Sequence, residues 1–255
     1  MAIIESLATG TTPGTNWGVD YPVNVPAGTV DGDLLVAVNV SEWNTIANNA
    51  VPAGFTRLTT SEFDGGANGM HISIGYRIAA SEPASYTFGS GDGSANAGAI
   101  FRLSGHDPAA VFAQAAGVAG LAAPSIVPNG TDDLMMTFHA SRTGGSNTMT
   151  WTPPTGMTEH VDLTGGNYVS LHAASLDSPS NPSGTKTATP SFGEETCSAS
   201  ISIKSEEIVV PTGGGAKVWD GTSWVSRPVK VWDGSAWVEA PIKVWDGSSW
   251  VLSNS

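Results

Sequence analysis

The sequence predicts an all-β protein: a jelly-roll-like β-sandwich built from two similar halves, followed by a C-terminal β-hairpin repeat. Three observations carry this. Glycine (31 residues) and proline (16) are abundant while charged residues make only 13%, which suits many short strands joined by tight turns. Six runs are apolar-rich or alternating and are bounded by Gly, Asp, Pro or Ser, as strands should be: "DLLVAVNV", "HISIGYRIA", "AGAIFRLSG", "DLMMTFHAS", "YVSLHAASL" and "CSASISIK". The end of the chain repeats an Asp-Gly turn signal between tryptophan-bearing segments.

Residues 1–205 read as a duplication. "VPAGTVDGDLLVAVNV" resembles "VPNGTDDLMMTFHA", with Asp33 matching Asp133 at an offset of 100. The order then holds: "VPAGFTRLT" is echoed by "PPTGMTEHV", "YRIAASEPASYTF" by "LHAASLDSPSNPS", and "AGAIFRLSG" by "SASISIKS". Halves of about one hundred residues cannot each close a good core alone, so they are expected to unite in a two-sheet sandwich whose corresponding strands pair or face each other. "DPAAVFAQAAGVAGLAAP" (107–124) is alanine-rich but broken by Gly117 and Gly120, and reads as a strand and crossover between the halves. The Pro and Gly run at 206–216 is a linker.

Residues 217–252 hold three 13-residue repeats. Trp219, Trp232 and Trp245 share that step with Trp224, Trp237 and Trp250, and each unit centres on Asp-Gly. Asp and Gly tolerate the positive φ of a tight hairpin, so each unit is a hairpin. With a two-residue loop the paired tryptophans sit diagonally; with a four-residue loop, Asp220 to Ser223, they face each other directly. Either register makes an aromatic face, on which Lys217, Lys230 and Lys243 are expected to stack over the indoles. An isolated two-stranded hairpin is marginal in water, so these units are expected to stack on one another, on the body or on other subunits. The six tryptophans and three lysines are therefore the candidate binding and assembly residues.

Net charge is −13, and the acidity belongs to the body: residues 1–205 hold 17 acidic and 6 basic side chains, against 6 and 4 in residues 206–255. No Lys/Arg cluster occurs, which argues against nucleic acid and membrane surfaces as partners. The single cysteine, Cys197, excludes an internal disulfide framework and is expected to be a buried, inert thiol. The start, "MAIIESLATG", lacks a basic n-region and a long apolar stretch, so a protein made in the cytosol without a standard secretion signal is expected.

Chemistry-bearing motifs are few. Histidines 71, 106, 139, 160 and 172 are scattered singly, although His139 and His172 lie in predicted strands that can approach each other. There is no GxSxG, and "FGSGDGSANAG" lacks the lysine and context of a phosphate loop. Asp33, Asp132 and Asp133 read as solvated turns, and Asp31 with Asp33 offers too few oxygens for calcium. Trp17, Trp43 and Trp151 are expected to close the ends of the sandwich core. No catalytic residue, metal or cofactor is assigned.

Two resemblances extend this reading. The body, through "AGTVDGDLLVAV", "PAGFTRL", "YRIAASEPASYTF" and "GAIFRLSGHDP", resembles a β-sandwich module common in tail-tip, fibre and other surface proteins of tailed bacteriophages, particularly those of actinobacteria. The three copies of "VWDG[TS][SA]WV" are similar to the short repeats that end many minor tail proteins of such phages. The resemblance implies a non-enzymatic virion structural protein, made in the host cytoplasm and displayed on the particle surface as a minor tail, fibre or capsid decoration protein. It implies other virion proteins as partners and a homo-oligomer with a trimer favoured; the repeat is expected to serve either assembly or attachment to the host surface, where a glycan is the candidate partner. A carbohydrate-binding module for cell-wall glycans is the alternative, and a polysaccharide-degrading enzyme a more distant one.

Overall fold

The computed structural model describes residues 1–12, 19–42, 51–63, 69–89, 95–109, 111–145, 148–165, 168–193, 195–206, 216–227, 229–239, 243–245 and 250–252. The chain forms two compact units, Met1–Glu206 and Glu207–Ser255. Described elements are all strands, as the composition predicted. Trp17, Trp43 and nearly all of the 206–216 linker lie outside the described residues.

The first half contributes β1 (Ile3–Thr11), β2 (Tyr21–Asn24), β3 (Leu34–Glu42), β4 (Thr56–Phe63), β5 (Met70–Ile78), β6 (Ser85–Phe88) and β7 (Asn96–Ser104). The second contributes β8 (Phe112–Ala119), β9 (Ala122–Ala123), β10 (Leu134–Arg142), β11 (Trp151–Thr152), β12 (Thr158–Gly165), β13 (Val169–Asp177), β14 (Lys186–Thr187), β15 (Thr189–Pro190) and β16 (Thr196–Ile203). Each half builds one five-stranded antiparallel sheet, and the two orders correspond: β1-β7-β3-β5-β4 in the first, β8-β16-β10-β13-β12 in the second. Registers also match, Leu34 lying between Ile78 and Leu103 as Leu134 lies between Asp177 and Ile203. Even the bulge recurs, between Arg57 and Thr59 on β4 and between Glu159 and Val161 on β12.

The sandwich stands, and every strand of each five-stranded sheet comes from one half. Corresponding strands therefore lie in different sheets and do not pair, and across the interface β4 meets β8 and β16 while β12 meets β1 and β7. The reason is local: each half already satisfies its backbone groups within its own sheet, and only the apolar inner faces are left to share.

Those inner faces follow the period of two. Leu34, Val36, Val38 and Val40 on β3, with Phe101 and Leu103 on β7, pack in one core with Leu134, Met136 and Phe138 on β10 and Ile201 and Ile203 on β16. Phe101 and Phe138 meet edge-to-face with ring centroids 6.0 Å apart, and burial of each such side chain stabilises the fold by about 1.5–3 kcal/mol. Two corners draw the sheets together. Gly117 on β8 would place a Cβ 2.2 Å from the Thr60 carbonyl oxygen on β4, and Gly165 on β12 would place one 2.4 Å from that of Asn96 on β7. A third tie joins positions offset by 100, Glu42 and Arg142, whose Oε1 and Nε lie 2.8 Å apart.

The outer faces are also covered, which is why β3 is buried along its whole length. The β2–β6 pair seals the first sheet with Tyr21, Val23, Tyr86 and Phe88 against Leu35, Ala37 and Ile100. A smaller cover, the β9–β14 and β11–β15 pairs, seals the second with Met149, Trp151 and Ala188. Trp151 thus roofs an outer face and does not close the end of the core. Asp33 and Asp133 are buried, not solvated. Asp33 accepts from Val30 N–H at 2.8 Å and from Arg102 Nε at 2.6 Å, and Asp133 accepts from Asn129 N–H at 2.8 Å. Asp31 turns elsewhere, its Oδ1 taking the Ser81 N–H at 2.7 Å.

Candidate functional site

The second unit carries the residues singled out by the repeat. Its strands pair as β17 (Ala216–Trp219) with β18 (Trp224–Arg227), β19 (Lys230–Trp232) with β20 (Trp237–Glu239), and β21 (Lys243–Trp245) with β22 (Trp250–Leu252). In each, the first tryptophan of the repeat is registered directly opposite the second: Trp219 with Trp224, Trp232 with Trp237, and Trp245 with Trp250. The loop is therefore the four-residue one.

The Asp-Gly signal works through a different device from a two-residue turn. Gly221 and Gly234 alone supply positive φ (105° and 103°). Asp220 and Asp233 act through their side chains: Asp220 Oδ1 accepts from the N–H groups of Thr222 (2.8 Å) and Ser223 (2.9 Å), and Asp233 Oδ1 from those of Ser235 (2.7 Å) and Ala236 (2.8 Å). These are Asx turns, and the N–H groups hold both carboxyls below the usual carboxylate range.

The Asp220 N–H donates to the Ser223 carbonyl at 3.1 Å, which makes the neighbouring Trp219–Trp224 position a non-hydrogen-bonded pair. Side chains approach most closely at such a pair. The two indoles meet edge-to-face, centroids 5.8 Å apart at 61°, and Trp232–Trp237 repeats the same distance and angle. Such a pair contributes about 0.5–1.5 kcal/mol beyond its area, so each of these two hairpins fixes its own indole geometry. The indoles nonetheless stay open: Trp219 is 52% exposed, Trp224 and Trp237 are each 65% exposed, and Val218 and Val231 are exposed on the other face.

The indoles of the first two hairpins turn toward each other, and Lys230 is exposed with Glu239 opposite in register; at Lys217, and at Lys243 with Trp245 and Trp250, the stacking expectation falls on side chains outside the described ones. Lys217 and Lys243 lie opposite Ser226 and Leu252. Among the described residues, the cation over aromatic rings is Arg77, on Phe55 and Tyr86 in the body.

A second cluster, under the cover of the second sheet, is only half legible in the sequence. β10 and β13 place His139 directly opposite His172, with Nδ1 atoms 3.3 Å apart. Both are fully buried, with Trp151 over them at centroid distances of 6.1 and 5.5 Å. Trp151 is fastened by its indole N–H, which donates to Ser170 Oγ at 2.6 Å, and by its backbone N–H, which donates to Asp162 Oδ2 at 3.0 Å. His139 Nε2 reaches the Lys186 carbonyl at 3.2 Å, and His172 Nε2 lies 3.4 Å from Glu159 Oε2. Burial pushes His139 down to about 4, against the Lys186 and Leu121 carbonyls; burial and then the neighbouring His139 and His160 push His172 down to about 3. Burial and Asp162 raise the Glu159 carboxyl. The alternation of β10 and β13 put both imidazoles on strands; that they meet depends on register, which no local signal specifies.

Among the described residues, no three or more His, Cys, Asp and Glu side chains gather as a metal site, and no helix is long and apolar enough to cross a membrane. No protein-family model, curated protein or solved structure matches the chain. The candidate contact surface is therefore defined by its own geometry: paired indoles, held by an Asx turn and repeated along one unit.

Proposed function

We propose that this chain is a non-enzymatic structural protein displayed on the surface of a bacteriophage particle, as a minor tail, fibre or decoration protein. The sandwich is the acidic, solvent-facing scaffold, and the hairpin unit makes the contacts, joining copies of the chain and other virion proteins. The observation that carries this is the repetition of one open indole pair at fixed geometry, Trp219–Trp224 and Trp232–Trp237. Apolar area of that kind is expensive to leave in water. Several modest contacts on one unit also gain avidity without any strong single site. A second reading, stacking of host-envelope sugars on the indoles, draws on the same exposed faces.

Immunogold labelling of intact particles with antibody against residues 1–205 tests the location, and gold on no particle would sink the virion assignment. Light scattering of the full chain and of a Trp224→Ala/Trp237→Ala variant tests the contact role. Loss of the oligomer marks assembly. An oligomer unchanged while binding to an envelope-glycan array disappears marks the sugar-stacking reading instead.

A further inference from the structure

The paired histidines have no part in the proposed contact role, yet the Lys186 carbonyl and the contact between the two rings set which nitrogens carry hydrogen. A carbonyl only accepts, so the Lys186 carbonyl fixes the hydrogen of neutral His139 on Nε2 and leaves Nδ1 bare. The Nδ1–Nδ1 contact then requires His172 to carry its hydrogen on Nδ1 and donate it to His139. That leaves His172 Nε2 bare beside Glu159 Oε2 and otherwise without a hydrogen-bond partner. The first half is built differently at the same place. Asn39, which corresponds to His139, accepts from the Tyr21 hydroxyl at 2.8 Å and donates to the Gly89 carbonyl at 3.3 Å, with Ser73 opposite. Tyr21 and Asn39 do not titrate near neutrality; the second half has two imidazoles there.

We propose that His139 and His172 form an acid-sensitive latch, which holds the β9–β14 and β11–β15 cover on the second sheet and releases it when the pair is protonated. A proton on His139 Nδ1 ends the N–H···N bond and leaves two N–H groups facing each other. A proton on His172 Nε2 meets Glu159, whose side chain is 36% exposed and whose raised carboxyl surrenders its charge as the pH falls.

No other group compensates. On β12, Asp162 Oδ2 is taken by the Trp151 N–H, and His160 Nε2 bonds Ser175 Oγ at 2.8 Å. On β14, Lys186 contributes its carbonyl. β9, β11 and β15 bring no titratable side chain, and β16 brings Cys197, which faces the inner core. The cover is also the lighter of the two: Met149, Trp151 and Ala188 are its buried apolar cluster, against eight residues in the cluster of the first half. A small apolar contact over a polar floor is the element that opens locally before the sandwich does. Release uncovers Trp151, Met149 and Ala188 as a new apolar surface.

Hydrogen exchange of the full chain at about pH 7 and about pH 5, expressed as protection factors, tests this, since each histidine freed on opening shifts the equilibrium up to about tenfold per pH unit below about 6.5. Peptides covering 149–152 and 186–190 should lose at least about tenfold in protection while β10 and β16 keep theirs. The His139→Asn/His172→Ser variant, which carries the residue types of the first half, should show no such difference. Equal protection at both pH values, simultaneous loss in β10 and β16, or an unchanged pH response in the variant would each overturn the latch. Should the variant fail to fold, imidazole NMR of the natural chain decides: rings titrating at the ordinary histidine value with the cover still protected refute it.

Discussion

Replacing Gly117 with alanine is expected to lower the stability of the body by about 1–3 kcal/mol, against the usual direction of a glycine-to-alanine change in a strand. The new Cβ would sit 2.2 Å from the Thr60 carbonyl oxygen, 2.9 Å from its carbon and 2.8 Å from Ser61 Cβ. Two of these are backbone atoms of β4 and cannot rotate away, so the sheet edges must part by roughly 1 Å, enough to forfeit up to half of each contact's dispersion energy. The Ser61 hydroxyl, which donates to the Val118 carbonyl at 2.6 Å, would stretch or break, at about 0.5–1.5 kcal/mol. Against this, alanine restricts the unfolded chain and favours folding by about 0.4–1 kcal/mol. The sign of the result therefore decides whether β4 and β8 truly touch. Urea unfolding followed by far-ultraviolet circular dichroism measures it, with Gly89→Ala as control because a Cβ there meets nothing closer than 3.6 Å. A Gly117→Ala midpoint equal to or above that of the natural chain would refute the close approach.

Arg102→Met should cost about 3–5 kcal/mol in the same assay, because it strands the Asp33 carboxylate, whose side chain is 8% exposed. The folded pKa of about 4 for His139 lies below the unfolded value of 6.5, so its contribution is complete above about 6.5 and lost as the pH falls toward 4. Between about pH 7 and pH 5 this single group should lower the unfolding free energy by about 2 kcal/mol; a midpoint that rises on acidification would contradict the burial of the pair. Cys197 is buried with its thiol pushed up to about 12, so an aromatic disulfide reagent should leave it untouched until urea unfolds the chain, and prompt labelling of the folded protein would contradict its place in the core.

Each of the six strands read from the sequence is present because each has an apolar face that must be buried. The duplication was equally legible, and the echo of "VPAGFTRLT" by "PPTGMTEHV" extends to the shared bulge on β4 and β12. Other features were hidden for physical reasons. β4 reads "TRLTTSEF", too polar to signal a strand, and is held by pairing with β5 and by its contact with β8. Which strands share a sheet depends on long-range pairing, which the local pattern does not specify. At the hairpins, the tryptophan spacing allowed two registers, and the Asx turn of Asp220 chose between them. The His139–His172 contact needed the register of β10 on β13, which emerges only when both strands are placed.

The duplicated body divides constancy from variation along the two faces of each strand. On β3 and β10 the inward positions are apolar in both halves: Leu34, Val36, Val38 and Val40 against Leu134, Met136, Phe138 and Ala140. They share one core, so a change in one sheet must be answered in the other. The outward positions answer only to their own cover and have diverged, Leu35, Ala37 and Asn39 becoming Met135, Thr137 and His139. Surface charge is divided as unevenly. Residues 1–205 carry eleven more acidic than basic side chains, whereas the second unit, Glu207–Ser255, carries five acidic and four basic. Bodies of like charge repel, while a unit with a net charge of only −1 and exposed indoles opposes close approach far less. Under the proposed reading, this uneven charge would leave the sandwich as the scaffold and the hairpins as the contact unit.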